Sequence, residues 1–397
     1  MTAPLRVLSL YEGFFAGGAR VLHTDVVAGL HAGGQSHHVL SVAVRARRES
    51  TVQVMWDDPR CRRLVEAGVQ VRSLGRTAVD APLGPETFGP RHLRRAAAMI
   101  ARADIVVSLK EQPLGLLLAL RERGMMPDVP VAVCLHRSDP SHAGAARDWL
   151  GEAARTGLVS AAISCAESTR DAYREVVGEA VASQVVTNGI DTERFRPGTA
   201  RERAAIRRSL GIPADAPVVL FAARFDAMKN PGLFLRAVAA HSRRRPDTHY
   251  LMCGAGMSAA NPALRAAFAE AGVAASARIQ LLGIRDDMPA LHRIADIVAL
   301  TSAFGEASPL CLIEGASSGA TPVTTAVGDA ARVVEGFGVV TAHDPTEIAG
   351  AWDRVLAARP AFRRLALAAR PRLSRERMID EYRLAIESLA LRVPLAA

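Results

Sequence analysis

The sequence predicts an α/β protein made of two Rossmann-like, doubly wound domains. Three observations predict it. Short apolar runs alternate with amphipathic helical stretches almost from end to end. Near-continuous apolar strands separated by helices are the pattern of parallel sheets covered on both faces. The alternation runs through two successive series, and 397 residues suit two domains. Turn residues concentrate between the series, from Asn188-Gly189-Ile190-Asp191 to Arg196-Pro197-Gly198, which sets the expected boundary.

In the first series strands are expected over 5–10, 38–44, 69–74, 104–109, 131–135, 158–163 and 184–187. Helices are expected over 19–32 and 91–103, and the Pro- and Gly-rich stretch 77–90 reads as a long surface loop. The second series predicts strands over 218–222, 249–253, 279–282, 297–300, 322–324 and 338–340, with helices over 231–244 and 310–318. A last helix, 375–391, follows Pro371 and has no strand after it; it is expected to pack back on the first domain. The domains expected are therefore 1–190, 191–374, and a returning C-terminal segment 375–397.

Composition narrows the function. Apolar residues make up 49% and charged residues 22%, which excludes a disordered or fibrous chain. The most apolar helical stretch stops at Arg121 after about two turns, far short of a membrane span. The N-terminus enters a strand directly, without the pattern of a secretory signal, so a cytoplasmic location is expected. Five widely spaced cysteines form no CxxC pair, arguing against a disulfide framework or zinc site. The net charge of +9 is spread out: up to Ile190, 22 Lys and Arg face 19 Asp and Glu; beyond it, 27 face 21. No basic block with interleaved aromatics supports nucleic-acid binding. The arginines at 91, 94, 95 and 102 read as a solvated helix face rather than a membrane dock. Lys110 and Lys229 are the two lysines among 49 basic residues, so each is a candidate for a compact point charge.

In open α/β sheets, ligands bind beyond the carboxyl ends of the strands. Glu12 and the glycines Gly17 and Gly18 follow the first strand; Lys110 and Glu111 follow the fourth; His136 and Asp139 follow the fifth. In the second half Arg224 and Lys229 follow one strand, Gly254-Ala-Gly256 the next, and Glu306-Ala-Ser-Pro-Leu-Cys-Leu-Ile-Glu314 a third. Ser308 reads as an N-cap and Pro309 as the first helical residue. That helix start would offer free N–H groups to an anion. Glu306 before it and Glu314 within it could take sugar hydroxyls, while Arg224 and Lys229 balanced a diphosphate. Glu12, Glu111 and Asp139 could receive an acceptor's ammonium groups, or pair with neighbouring cations.

Here the residues resemble a known family. Asn188-Gly189-Ile190-Asp191-x-x-x-Phe195-x-Pro197, Phe221-Ala-Ala-Arg224-Phe-Asp-Ala-Met-Lys229-Asn-Pro, Glu306-x7-Glu314 and the Gly17-Gly18 loop resemble, in order, the motifs of retaining GT-B glycosyltransferases of family 4. Ala307 and Asp329 stand where that family commonly has glycine. The resemblance implies a GT-B fold, with two domains facing a central cleft. It implies a UDP-sugar donor held by Gly17, Gly18, Gly254, Gly256, Ile284, Ser308, Pro309, Leu310 and Glu314. Arg224, Lys229, Glu306 and His136 would serve the transfer; Glu12, Lys110, Glu111 and Asp139 would meet a small-molecule acceptor. No cofactor and no metal are implied. The opening Leu8-to-His23 segment resembles transferases that glycosylate a 2-deoxystreptamine pseudodisaccharide in aminoglycoside biosynthesis. A lipid-linked or cell-wall acceptor, a UDP-sugar epimerase and a non-catalytic sugar-nucleotide binder are the alternatives.

Overall fold

The computed structural model describes residues 3–15, 17–48, 51–79 and 82–391. They form two compact units. One holds the chain up to Asn188 together with the C-terminal part from Glu376; the other spans Gly189–Arg375.

The first unit runs β1 (Arg6–Tyr11), α1 (Gly18–Ala32), β2 (Ser36–Arg48), β3 (Thr51–Val54), α2 (Pro59–Glu66), β4 (Gln70–Val79), α3 (Pro90–Ile100), β5 (Ile105–Leu109), α4 (Leu114–Glu122), β6 (Val131–Leu135), α5 (Ala145–Arg155), β7 (Ala161–Ser164), α6 (Glu167–Val177) and β8 (Ala182–Val185). Its sheet is ordered β3-β2-β1-β5-β6-β7-β8, with β4 also on β2. Every described pairing is parallel except that of β2 with β3. β5 and β6 are buried at every position, as strands covered on both faces must be.

The second unit runs α7 (Ala200–Ser209), β9 (Val218–Ala222), α8 (Pro231–Ser242), β10 (His249–Cys253), α9 (Pro262–Ala271), β11 (Arg278–Gly283), α10 (Met288–Ile294), β12 (Ile297–Leu300), α11 (Leu310–Ser318), β13 (Thr321–Thr325), α12 (Ala330–Val333), β14 (Val339–Thr341), α13 (Pro345–Ala357) and α14 (Arg359–Ala368). Its parallel sheet is ordered β11-β10-β9-β12-β13-β14. Counted within each unit and leaving out β3, the second sheet follows the doubly wound order 3-2-1-4-5-6 and the first follows it with a seventh strand added at the end. The order reverses between β1 and β5 in one unit and between β9 and β12 in the other. Those are the switch points where a crevice opens beyond the strand ends.

The last helix, α15 (Arg375–Ala390), packs on the first unit. Its Tyr382 ring meets His23 of α1 edge-on at 6.4 Å, and its Glu387 accepts a 2.9 Å hydrogen bond from Gln35. Residues 392–397 of the expected C-terminal segment lie outside the described residues, as does Ala16 of the glycine loop.

Two expectations change. The stretch 77–90 is not loop throughout: β4 continues to Val79, and a turn of 3-10 helix spans Pro85–Thr87. The second strand is also longer than 38–44, because β3 pairs antiparallel with its outer half. Neither was legible, since an extension that stands on a partner strand has no local apolar signal of its own.

Candidate functional site

In the second unit a pocket of about 500 Å³ opens beyond the ends of β9 and β10. Arg224, Lys229, Gly254 and Ile284 line it, together with Pro309, Leu310 and Glu314. Each arrives by a local device. Asp226 accepts the Lys229 backbone N–H at 2.8 Å and also takes the Arg224 guanidinium, so one carboxylate orders both cations. Asn230 then adopts a left-handed conformation and caps α8 by accepting Leu233 N–H at 3.2 Å. Asn tolerates that conformation better than most residues. Gly254 has φ +136°, and a side-chain carbon there would run into the Ala223 carbonyl, so the backbone comes this close only at glycine.

Pro309, not Ser308, occupies the N-cap position of α11, and Leu310 opens the helix. This shifts the expected start by one residue. The first turn still leaves N–H groups without intrahelical partners at the pocket wall. Glu314, half-buried on that helix, lies 3.3 Å from the Nε2 of the buried His292. Glu306 is 3% exposed and does not line the pocket. Its carboxylate is held by Lys229 Nζ at 2.5 Å and by the Ser302 hydroxyl. Gly256 and Ser308 also stand outside the lining. Gly328, with φ +54°, lies so close to the Glu306 carbonyl that a side chain would collide with it. The glycine thus sets the seat of the Glu306 loop. Sequence reading missed Asp226, Arg285 and Met288; the last two line the pocket from the end of β11 and the start of α10. The i+2 spacing of Arg224 and Asp226 was the available signal for the first.

In the first unit the expected residues follow β1, β5 and β6. Gly17 is the N-cap residue of α1 and Gly18 its first residue. Glu12 is buried with Arg20, whose NH2 lies 3.4 Å away; Arg20 also donates to the Gly13 carbonyl at 2.7 Å and sits over the Phe15 ring. Glu111 is fully buried, at 0% exposure. It accepts the Tyr173 hydroxyl of α6 and has Arg137 at 3.9 Å. That burial argues against the expected role as a ready acceptor contact. Asp139 caps a short 3-10 turn, accepting Ser141 N–H at 2.8 Å, and hydrogen bonding from Ser141, through its side chain first and its backbone second, holds the carboxyl below the usual range.

Lys110 differs from these acids. It takes φ +69°, costly for a residue with a long side chain, and forms no ion pair among the described residues. Burial pushes its ammonium down to about 8, with Arg137 adding to the shift and Glu111 opposing it. The Nε2 of His136 is buried without a hydrogen-bond partner. Burial, then the charge of Lys110, pushes that imidazole down to about 3, so it is neutral at physiological pH. Among the described residues no group of three or more His, Cys, Asp or Glu is placed to hold a metal. No helix there is long and apolar enough to cross a membrane.

The architecture is the GT-B fold. Solved structures align along nearly the whole chain: HepE of Anabaena, in complex with UDP and glucose, has a TM-score of 0.74 at 19% identity, covering 97% of this chain and 100% of that one. Sucrose-phosphate synthase of Thermosynechococcus elongatus has a TM-score of 0.71 at 17% identity, covering 98% and 100%. By sequence, residues 202–372 match the family described as Glycosyl transferases group 1. The D-inositol 3-phosphate glycosyltransferase of Corynebacterium diphtheriae is 31% identical over 214 residues, 52% of this chain and 50% of that protein. The protein of the same name in Salinispora arenicola is 34% identical over 187 residues, 44% and 41%. The chain thus spans about half the length of the curated relatives it matches.

Proposed function

We propose that the protein is a retaining, metal-independent glycosyltransferase. It would move a hexosyl or pentosyl unit from a UDP-sugar to a hydroxyl of a small acceptor. The observation that carries this reading is the second-unit pocket, where two cations, a close-approach glycine, a helix start and a carboxylate meet. A diphosphate fits that set: the amides at the start of α11 and the side chains of Arg224 and Lys229 would stabilise its charge as it departs. Glu314 would take the ribose hydroxyls, while Glu306, buried and held by Lys229 and Ser302, would position the Lys229 ammonium rather than meet the donor sugar as the resemblance implies. In the transfer, an acceptor hydroxyl oxygen bonds to the anomeric carbon on the face the diphosphate leaves, and the hydroxyl proton passes to a leaving phosphate oxygen. Neutral His136, with its unpartnered Nε2, would hydrogen-bond the transferred sugar. The UDP bound in HepE supports the choice of nucleotide.

For the acceptor we infer a polyhydroxylated carbocyclic ring. Both the cyclitol in the relatives' name and a 2-deoxystreptamine ring belong to that class. Lys110, which forms no ion pair among the described residues, favours an acceptor that carries phosphate, since Glu12, Glu111 and Asp139 are engaged within their own unit. The test is a screen by mass of UDP-glucose, UDP-galactose, UDP-xylose and UDP-N-acetylglucosamine against D-inositol 3-phosphate, paromamine and a lipid acceptor. A mass gain on either ring compound supports the proposal. Conversion of a UDP-sugar without any acceptor would mark an epimerase instead.

A further inference from the structure

A second pocket, of about 520 Å³, lies at the opposite end of the first unit's sheet, toward the N-terminal ends of its strands. On each strand, residues two apart share a face. Under α3 that face is apolar along Leu8 and Leu10 of β1, Leu40 and Val42 of β2, and Leu74 of β4, all part of the core. Two residues earlier the same face carries Arg6, His38 and Arg72, which line the pocket. From above, Arg95 and Met99, one turn apart on α3, and Arg102 in the turn that follows it line the pocket too. The alternation of four chain segments therefore converges on one cationic recess, floored by apolar side chains.

The charges there are not balanced from within. Arg6 is paired with Asp104 at 2.5 Å. Among the described residues no carboxylate pairs with Arg72, Arg95 or Arg102, and no carboxylate lines the pocket. Arginines that share a recess repel one another, and each presents a fork of donors suited to phosphate oxygens. The volume falls in the range of small-molecule sites. All four arginines of the expected solvated face are exposed, and of them Arg95 and Arg102 line the recess while Arg91 and Arg94 do not.

We propose that this recess binds a small soluble molecule carrying at least two phosphate charges, at a site separate from the donor pocket of the second unit. A concave recess with an apolar floor suits a free phosphorylated small molecule better than the plane of a membrane.

The test is calorimetry of the full chain with inorganic pyrophosphate as the probe, run with UDP in excess to occupy the donor pocket. The variant Arg72→Gln/Arg95→Gln/Arg102→Gln is compared with wild type and with Arg91→Gln/Arg94→Gln. Binding by wild type, weakened at least 10-fold in the triple variant and kept in the double variant, supports the site. The contrast between the two variants reads the recess whether or not UDP binds, so it stands apart from the glycosyltransferase reading. Arg72→Gln alone, expected to weaken binding several-fold, serves if the triple variant fails to fold. Equal binding by wild type and the recess variants overturns the proposal. So does no binding of pyrophosphate at millimolar concentration, or capture by vesicles of anionic phospholipid with none of the free probe.

Discussion

The two switch points of this protein use charge in opposite ways. Beyond β9 and β12 the polar side chains converge on one open pocket. The pair Lys229–Glu306 joins residues 77 apart in sequence and brings its cation to the pocket wall. Beyond β1, β5 and β6 the acids are engaged close by: Glu12 with Arg20 and Glu111 with Tyr173, both buried, and the more exposed Asp139 with its own turn. Among the described residues Lys110 is left there without an ion pair, and buried polar atoms of Glu111, Gln112, His136 and Arg137 without a hydrogen-bond partner. The comparison teaches that a polar residue at a strand end is a candidate only until its own unit has satisfied it.

The largest effect that would break the comparison is in the donor pocket. Lys229→Ala is expected to lower turnover on the order of 10²-fold at saturating donor, because the diphosphate gains charge in the transition state. An unchanged turnover number would remove Lys229 from the reaction. Glu314→Ala is expected to weaken UDP binding about 10-fold, the loss of roughly one charge-assisted hydrogen bond. Equal UDP affinity by calorimetry would take it out of the ribose role.

The first unit should respond differently. Lys110→Met is expected to raise the KM for a phosphorylated acceptor several-fold and leave UDP affinity alone. The sign of its pH dependence follows from the ammonium, which is charged below about 8 and neutral above it. Acceptor KM should therefore rise as pH passes that value. Lys110→Arg should hold KM flat over the same range, since a guanidinium stays charged. A wild-type KM independent of pH from 7 to 9 would sink the assignment.

The smallest effect concerns stability alone. Tyr173→Phe removes the hydroxyl that the buried Glu111 carboxylate accepts. Leaving that group short of a partner should cost about 1–3 kcal/mol in denaturant unfolding, with little change in UDP affinity. A variant as stable as wild type would show that Arg137 alone satisfies the carboxylate.

Much of the fold could be read directly. The order of strands and helices followed from apolar periodicity, which each segment carries in its own residues. The helix α11 was legible to within one residue of its start and to its end at Ser318, because proline before it and glycine after it punctuate the chain. The outer half of β2 and all of β3 were not, since the first stands on pairing with β3 and β4 and the second on pairing with β2.

The candidate site divides along the same line. By itself the sequence determined the pocket residues Arg224, Lys229, Gly254 and Glu314, because their spacing from a strand end or a helix start is local. Only the tertiary structure decided that Glu306 stands behind Lys229, that Tyr173, 62 residues away, claims Glu111, and that Arg6, Arg72 and Arg95 share one recess. A residue's type and neighbours state what it can bind. Which partner reaches it first depends on which strand ends the topology sets side by side, and that choice is made by the packing of the whole unit.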